Sequence, residues 1–154
     1  KNNRKRGPRG YDAGKKVKGR KRHILVDTIG LLLCVVVHPA NIQDRDGAKQ
    51  VLKKAKDKFP RLKLVWADGG YRGKLIDWVQ QTCGWVLEII KRSDDIKGFH
   101  VLPRRWVVER TFSWVLRFKR LAIRYDRTAA TLLPLLLLAV TLINFRRLRQ
   151  VEEL

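Results

Sequence analysis

Acidic residues are scarce in this sequence. Only 14 Asp and Glu stand against 35 Lys and Arg among 154 residues, a formal net charge of +21. A chain so charged repels itself unless a polyanion neutralises it in use, and nucleic acid is the first candidate. A membrane surface is the competing polyanion. It more often meets one amphipathic helix than charge spread over strands and loops, so no membrane partner is expected. Methionine is absent, and the chain opens at Lys1 on a basic stretch with no apolar signal-peptide core. It reads as a piece of something longer. Cysteine occurs twice, at Cys34 and Cys83. Cys34 lies inside LLLCVVV, which suggests a buried reduced thiol and a reducing, cytoplasmic compartment. His23, His38 and His100 do not pair with the cysteines at any zinc-like spacing. Long apolar runs are nearly absent. TLLPLLLLAVTLINF, residues 131–145, is strongly apolar over about 14 residues, short of a bilayer span, and contains Pro134 and Asn144. A buried terminal helix over about 130–149 is the expectation.

What is present suffices for one compact domain. Hydrophobic residues make up 45%, with five Trp, five Phe and three Tyr, a globular composition. Residues 1–22 hold 11 basic residues, four glycines and one proline, and read as a basic loop that takes phosphates. HILVDTIG and LLLCVVVH read as an antiparallel hairpin, the second strand buried on both faces. Ala48, Val51, Leu52, Ala55 and Phe59 recur at helical spacing, predicting a helix over 45–58. LKLVWA at 62–67 predicts a strand, residues 73–82 a helix and residues 85–90 a further strand. That order implies a parallel pair with a right-handed crossover. A long helix is expected from Pro103, with Val107, Val108, Phe112, Trp114, Val115 and Phe118 on its apolar side and Arg105, Glu109, Ser113, Arg117 and Arg120 opposite.

Two carboxylates stand out. Asp68 ends the 62–67 strand just before Gly69-Gly70, where an Asp alone often only stabilises its own turn. Glu109 sits among Arg104, Arg105 and Arg110, where alone it reads as a surface ion pair worth a few tenths of a kcal/mol. Together they say more. The C-terminal end of a parallel strand is where open α/β sheets place their sites, and two acids amid cations suit magnesium at a phosphodiester.

GYDAGKKVKGRKRHILVDTIGLLL, HPANIQDRDGA, WADGGYRG and VLPRRWVVERTFSWVLRFKRL closely resemble the transposases of the insertion sequence five family, members of the DDE class. The resemblance covers nearly the whole chain. It implies an α/β fold with an RNase H-like mixed sheet, an antiparallel hairpin plus parallel strands with flanking helices, spanning residues 23–150. It also implies metal-dependent DNA cleavage and strand transfer at insertion-sequence ends, with Mg2+ as cofactor and Mn2+ as the alternative ion. Asp68 matches the second Asp of the family's triad and Glu109 its Glu, so both become expected metal ligands. Arg105 matches the Arg four residues before that Glu. The signature's Tyr and Lys would fall at Leu102 and Leu116, leaving Arg117 or Lys119 to supply a nearby cation. Arg104, Lys15, Lys16, Lys18, Arg20, Lys21, Arg22 and Arg72 complete the expected DNA-binding set. The partners implied are DNA at transposon ends and target, and further copies of the full-length chain.

Family members carry the first Asp on a strand just ahead of the basic loop. Here the chain opens inside that loop, so the first strand and its Asp are expected to be missing. Asp12 lies in the loop and Asp27 on the following strand, and neither replaces it easily. A sheet without its central first strand should be split. Inactivity of the isolated chain is left open. Two other readings also remain: a basic nucleic-acid-binding module in which Asp68 and Glu109 are structural, and an RNase H-like nuclease without strand transfer.

Overall fold

The computed structural model describes residues 7–90, 105–122 and 128–152. Its elements run β1 (Gly10–Asp12), β2 (Val17–Val26), β3 (Leu32–Pro39), α1 (Asp44–Lys56) and β4 (Leu64–Asp68). A single 3-10 turn (Gly69–Tyr71) follows, then α2 (Leu75–Cys83), β5 (Val86–Ile90), α3 (Arg105–Leu116), α4 (Lys119–Ala122) and α5 (Ala129–Glu152). The architecture is mixed α/β: an antiparallel sheet in the order β1-β2-β3 and a separate parallel pair β4-β5. The expected hairpin is present, with His23 opposite Val36 and Ile24 opposite Val35. The parallel pair sets Asp68 beside Ile90. The sheet is thus split, as expected, because no ladder joins β2 to β4 among the described residues.

The supposed loop over 1–22 is corrected by the strands. β1 lies within it, and β2 begins at Val17 rather than His23. Lys18, Arg20 and Arg22 alternate along β2 with Gly19, Lys21 and His23, and long cationic side chains can leave a paired backbone for solvent as readily as they leave a loop.

β3 separates two cores. Cys34 joins Leu25, Ala48, Val51, Leu52 and Ala55 beneath α1, in a cluster that continues to Val65, Val79 and Leu87. Val35, one residue on and pointing to the opposite face, packs with Val115, Leu121, Leu132 and Leu136. A strand with helices on both faces has no need of polar alternation, which is why LLLCVVV is continuously apolar. Both cysteines are free and buried, and burial raises both thiol pKa values.

Helix α5 is less buried than expected. Leu132, Leu136, Ala139 and Val140 face the core, whereas Leu138 and Phe145 are 61% and 60% exposed. By length and composition α5 could cross a membrane, and 17% of its most apolar window is buried. Apolar composition alone could not say which side would be covered, because the stripe runs all round the helix. In α3 the buried face is Val107, Thr111 and Val115, and Val108 is exposed.

Candidate active site

Asp68 is the last residue of β4 and caps the turn that follows. Its Oδ1 accepts the Gly70 N–H at 2.9 Å. One oxygen is thereby held by the backbone, and the carboxylate is oriented at an exposed strand end. Arg72 folds back onto the same turn, its Nε donating to the Gly69 carbonyl at 3.0 Å.

Glu109 is placed by α3, which docks on the turn between β2 and β3. Gly30 adopts φ +87° there, and its carbonyl accepts the Thr111 hydroxyl at 2.7 Å. Arg110 donates to the Ile29 carbonyl at 2.8 Å and lies between the rings of Trp106 and Trp114, at 4.1 and 4.9 Å. Arg147 from α5 stacks on Trp114 at 4.9 Å. These contacts fix the rotation of α3, and with it the direction of Glu109.

Asp68 and Glu109 line one cavity of about 960 Å³ between β2 and β4. Its floor is apolar, with Leu25, Val65, Leu87 and Leu132, and its walls carry Lys15, Lys18, Arg20, Lys21, Arg22 and Arg120. Of the expected DNA-binding residues, Lys16, Arg72, Arg117 and Lys119 do not line it. Lys16 stands in the β1–β2 turn at φ 51°. Arg104 and the Arg105 side chain lie outside the described residues. Among the described residues no group of three or more His, Cys, Asp or Glu could hold a metal ion. Four carboxylates line the cavity, those of Asp12, Asp44, Asp68 and Glu109; Asp12 and Asp44 are paired with Lys21, and Asp68 and Glu109 make a hard donor pair that suits magnesium.

Asp12 faces the same cavity but is committed elsewhere. It accepts the Gly14 and Lys15 N–H groups at 3.0 and 3.1 Å and pairs with Lys21 at 3.1 Å. The Lys15 N–H and Lys21 lower its pKa. Lys21 also bridges to Asp44 at 3.0 Å. Burial opposes its charge, but the carboxylates of Asp44 and Asp12 prevail and raise its pKa. Asp27 turns into its own loop, accepting from Ile29 and Leu31 at 3.0 and 2.8 Å.

The sequence reading missed a histidine pair. His23 and His38 are diagonal neighbours across β2 and β3, stacked with ring centroids 4.7 Å apart and planes 19° from parallel. They are 8% and 4% exposed, and neither Nε2 has a hydrogen-bond partner among the described residues. The signal was in the hairpin register, which brings positions 23 and 38 to one face. Burial, then the neighbouring His38, pulls His23 down to about 4. Unfolded, it titrates near 6.5, so the unfolded chain takes up the proton first. The stability from burying it neutral is fully present above about pH 6.5 and is lost as pH falls toward 4, by up to about 3 kcal/mol. Urea midpoints at pH 7 and pH 4.5 measure this. His23→Phe should flatten the difference, and an unchanged slope would remove His23 as its source.

The family model described as "Transposase DDE domain" matches residues 1–144. A protein of Burkholderia cepacia, assigned by its name as a transposase for insertion sequence element IS402, is 30% identical over 156 residues. The match covers 97% of this chain and 72% of that protein. No solved structure matches.

Proposed function

Because the chain belongs to the family of transposases with a DDE domain, we propose that it forms the RNase H-like catalytic part of an insertion-sequence transposase. Asp68 and Glu109 are its metal ligands. The observation that carries this reading is their convergence, from two different halves of the fold, on one cavity walled by cations.

The basic wall draws in the DNA backbone through its phosphates, a contact that positions without reading sequence. Asp68 is held in its rotamer by the Gly70 N–H, and the tight turn behind it leaves the front of the carboxylate accessible. Glu109 lines the same cavity from α3, an element anchored at Gly30. Asp68 and Glu109 would hold magnesium here, and the metal would supply Lewis-acid stabilisation of the oxygens of the phosphodiester.

A third carboxylate enters on a strand lying between β2 and β4. Among the described residues β2 beyond Gly19 is paired on one side only, with β3, and β4 on one side only, with β5; these edges flank an apolar-floored cavity, and an extended segment would satisfy both. Asp12 and Asp27 are held by their own neighbours, which favours a donor outside the described residues. In this reading the transposase acts in the cytoplasm, as a multimer on transposon ends and target.

The experiment is a cleavage and joining assay with DNA carrying the insertion-sequence ends, using a chain that includes the proposed strand. Magnesium-dependent cutting followed by joining of the 3′-hydroxyl end supports transposition. Cutting without joining identifies a nuclease, and DNA binding without cutting a non-catalytic module.

A further inference from the structure

The two expected metal ligands belong to parts of the fold that no strand ladder connects. Asp68 ends β4, in the part built from β4, β5 and α2, while Glu109 stands on α3, which packs against β2. Their separation depends on whatever spans the cleft. Helix α1 does so from beneath, touching β2 and β3 on one side and α2 and the 3-10 turn on the other. At the level of the carboxylates there is a second connection. Tyr71, the last residue of the turn that Asp68 caps, places its hydroxyl 3.4 Å from Nδ1 of His23 on β2.

The far end of that contact is unusually well held. His23 stacks on His38, whose Nδ1 donates to the Pro39 carbonyl at 2.8 Å. Both rings press their Nε2 edges against Gly47 in the first turns of α1, where any Cβ would collide with them. Packed cores transmit position because they lack the space to relax. At the near end, only Gly69 and Gly70 separate Tyr71 from Asp68, and glycines do not brace a turn by themselves. The Tyr71 ring packs on the α1 core cluster, which orients the hydroxyl toward β2.

From this geometry we infer that Tyr71 is a positioning residue: its hydroxyl, seated on the buried and stacked His23, ties the Asp68 turn across the cleft to β2 and so sets Asp68 relative to Glu109. This rests on the reading of the two acids as metal ligands. Tyr71 touches neither metal nor DNA in this role and acts through Asp68. Burial, followed by the charges of Asp44 and Asp68, pushes its pKa up to about 12, so the hydroxyl keeps its proton at neutral pH.

The test compares Tyr71→Phe, His23→Phe and the double variant with two readouts on the chain itself. The first is amide exchange at Gly70 and Arg72, whose N–H groups close the turn. The second is the Mn2+ concentration for half-saturation, followed by electron paramagnetic resonance. Loss of one modest hydrogen bond should speed exchange about two- to tenfold in each single variant and weaken Mn2+ binding by a similar factor. The double variant should be no worse than the single ones. Additive effects, or faster exchange with unchanged Mn2+ affinity, overturn the inference. Should His23→Phe fail to fold, Tyr71→Phe decides alone, since it keeps the ring. The Asp68→Asn variant separates the two levels. If it binds Mn2+ as well as the wild type, the metal reading falls and the positioning role with it. If it loses Mn2+ while Tyr71→Phe does not, the positioning role alone falls.

Discussion

Asp68→Asn and Glu109→Gln should each reduce magnesium-dependent DNA cleavage to background in a chain that also carries the third carboxylate proposed above, a loss on the order of a thousandfold or more. Both changes preserve side-chain size and remove one ligand charge. Asp68 keeps a hydrogen-bonding oxygen for the Gly70 N–H as Asn, so the turn at the end of β4 survives. Glu109 is exposed on α3, and the helix is anchored through Thr111 and Arg110. DNA affinity should therefore stay within about twofold, or tighten slightly as a negative charge is removed. Cleavage rates and binding measured on the same preparations check this. A variant that still cut at near wild-type rate would return its residue to a turn-stabilising or surface ion-pair role.

The second large effect is on affinity. The cavity wall presents Lys15, Lys18, Arg20, Lys21, Arg22 and Arg120, with Arg9 at its margin, within a chain of net charge +21. If about six phosphates are neutralised, log K should fall with log salt at a slope near −5. Raising salt from about 50 to 200 mM then weakens binding about a thousandfold. Random and cognate duplexes should show similar slopes, because these contacts are to the backbone. Titrations across a salt series measure it. A flat response would mean that the charge serves something other than nucleic acid.

The β strands were legible where burial is two-sided or alternating. LLLCVVV announced β3 because helices cover both of its faces, and LVWAD announced β4 together with the residue at its end. β2 was legible only in its apolar half. Its first six residues, Val17 to Arg22, carry four cations, and a strand half that buries little leaves no periodicity to read. Thr111 was overlooked because a polar residue in the centre of a buried helix face is visible only once its partner, the Gly30 carbonyl, is known. The outer face of α5 was taken as core, since composition registers apolarity but not whether anything packs against it. Asp68 and Glu109, the proposed metal ligands, were singled out from position and resemblance. Their meeting at one cavity depends on how α3 docks, which no local pattern encodes. The His23–His38 stack and the contact of Tyr71 with it depend on hairpin register and are likewise non-local.

One ion held by both carboxylates is the centre of the proposed site, and metal-directed cleavage of the polypeptide tests it most directly. Fe2+ takes the place of magnesium, and with ascorbate and peroxide it generates radicals that cut the nearest backbone. The chain should be cut at two places, beside Asp68 and beside Glu109. Excess Mg2+ should suppress both cuts together, and either Asp68→Asn or Glu109→Gln should remove both. Cutting at one site only, or a cut beside Glu109 that persists when Asp68 is changed, would contradict a shared metal site.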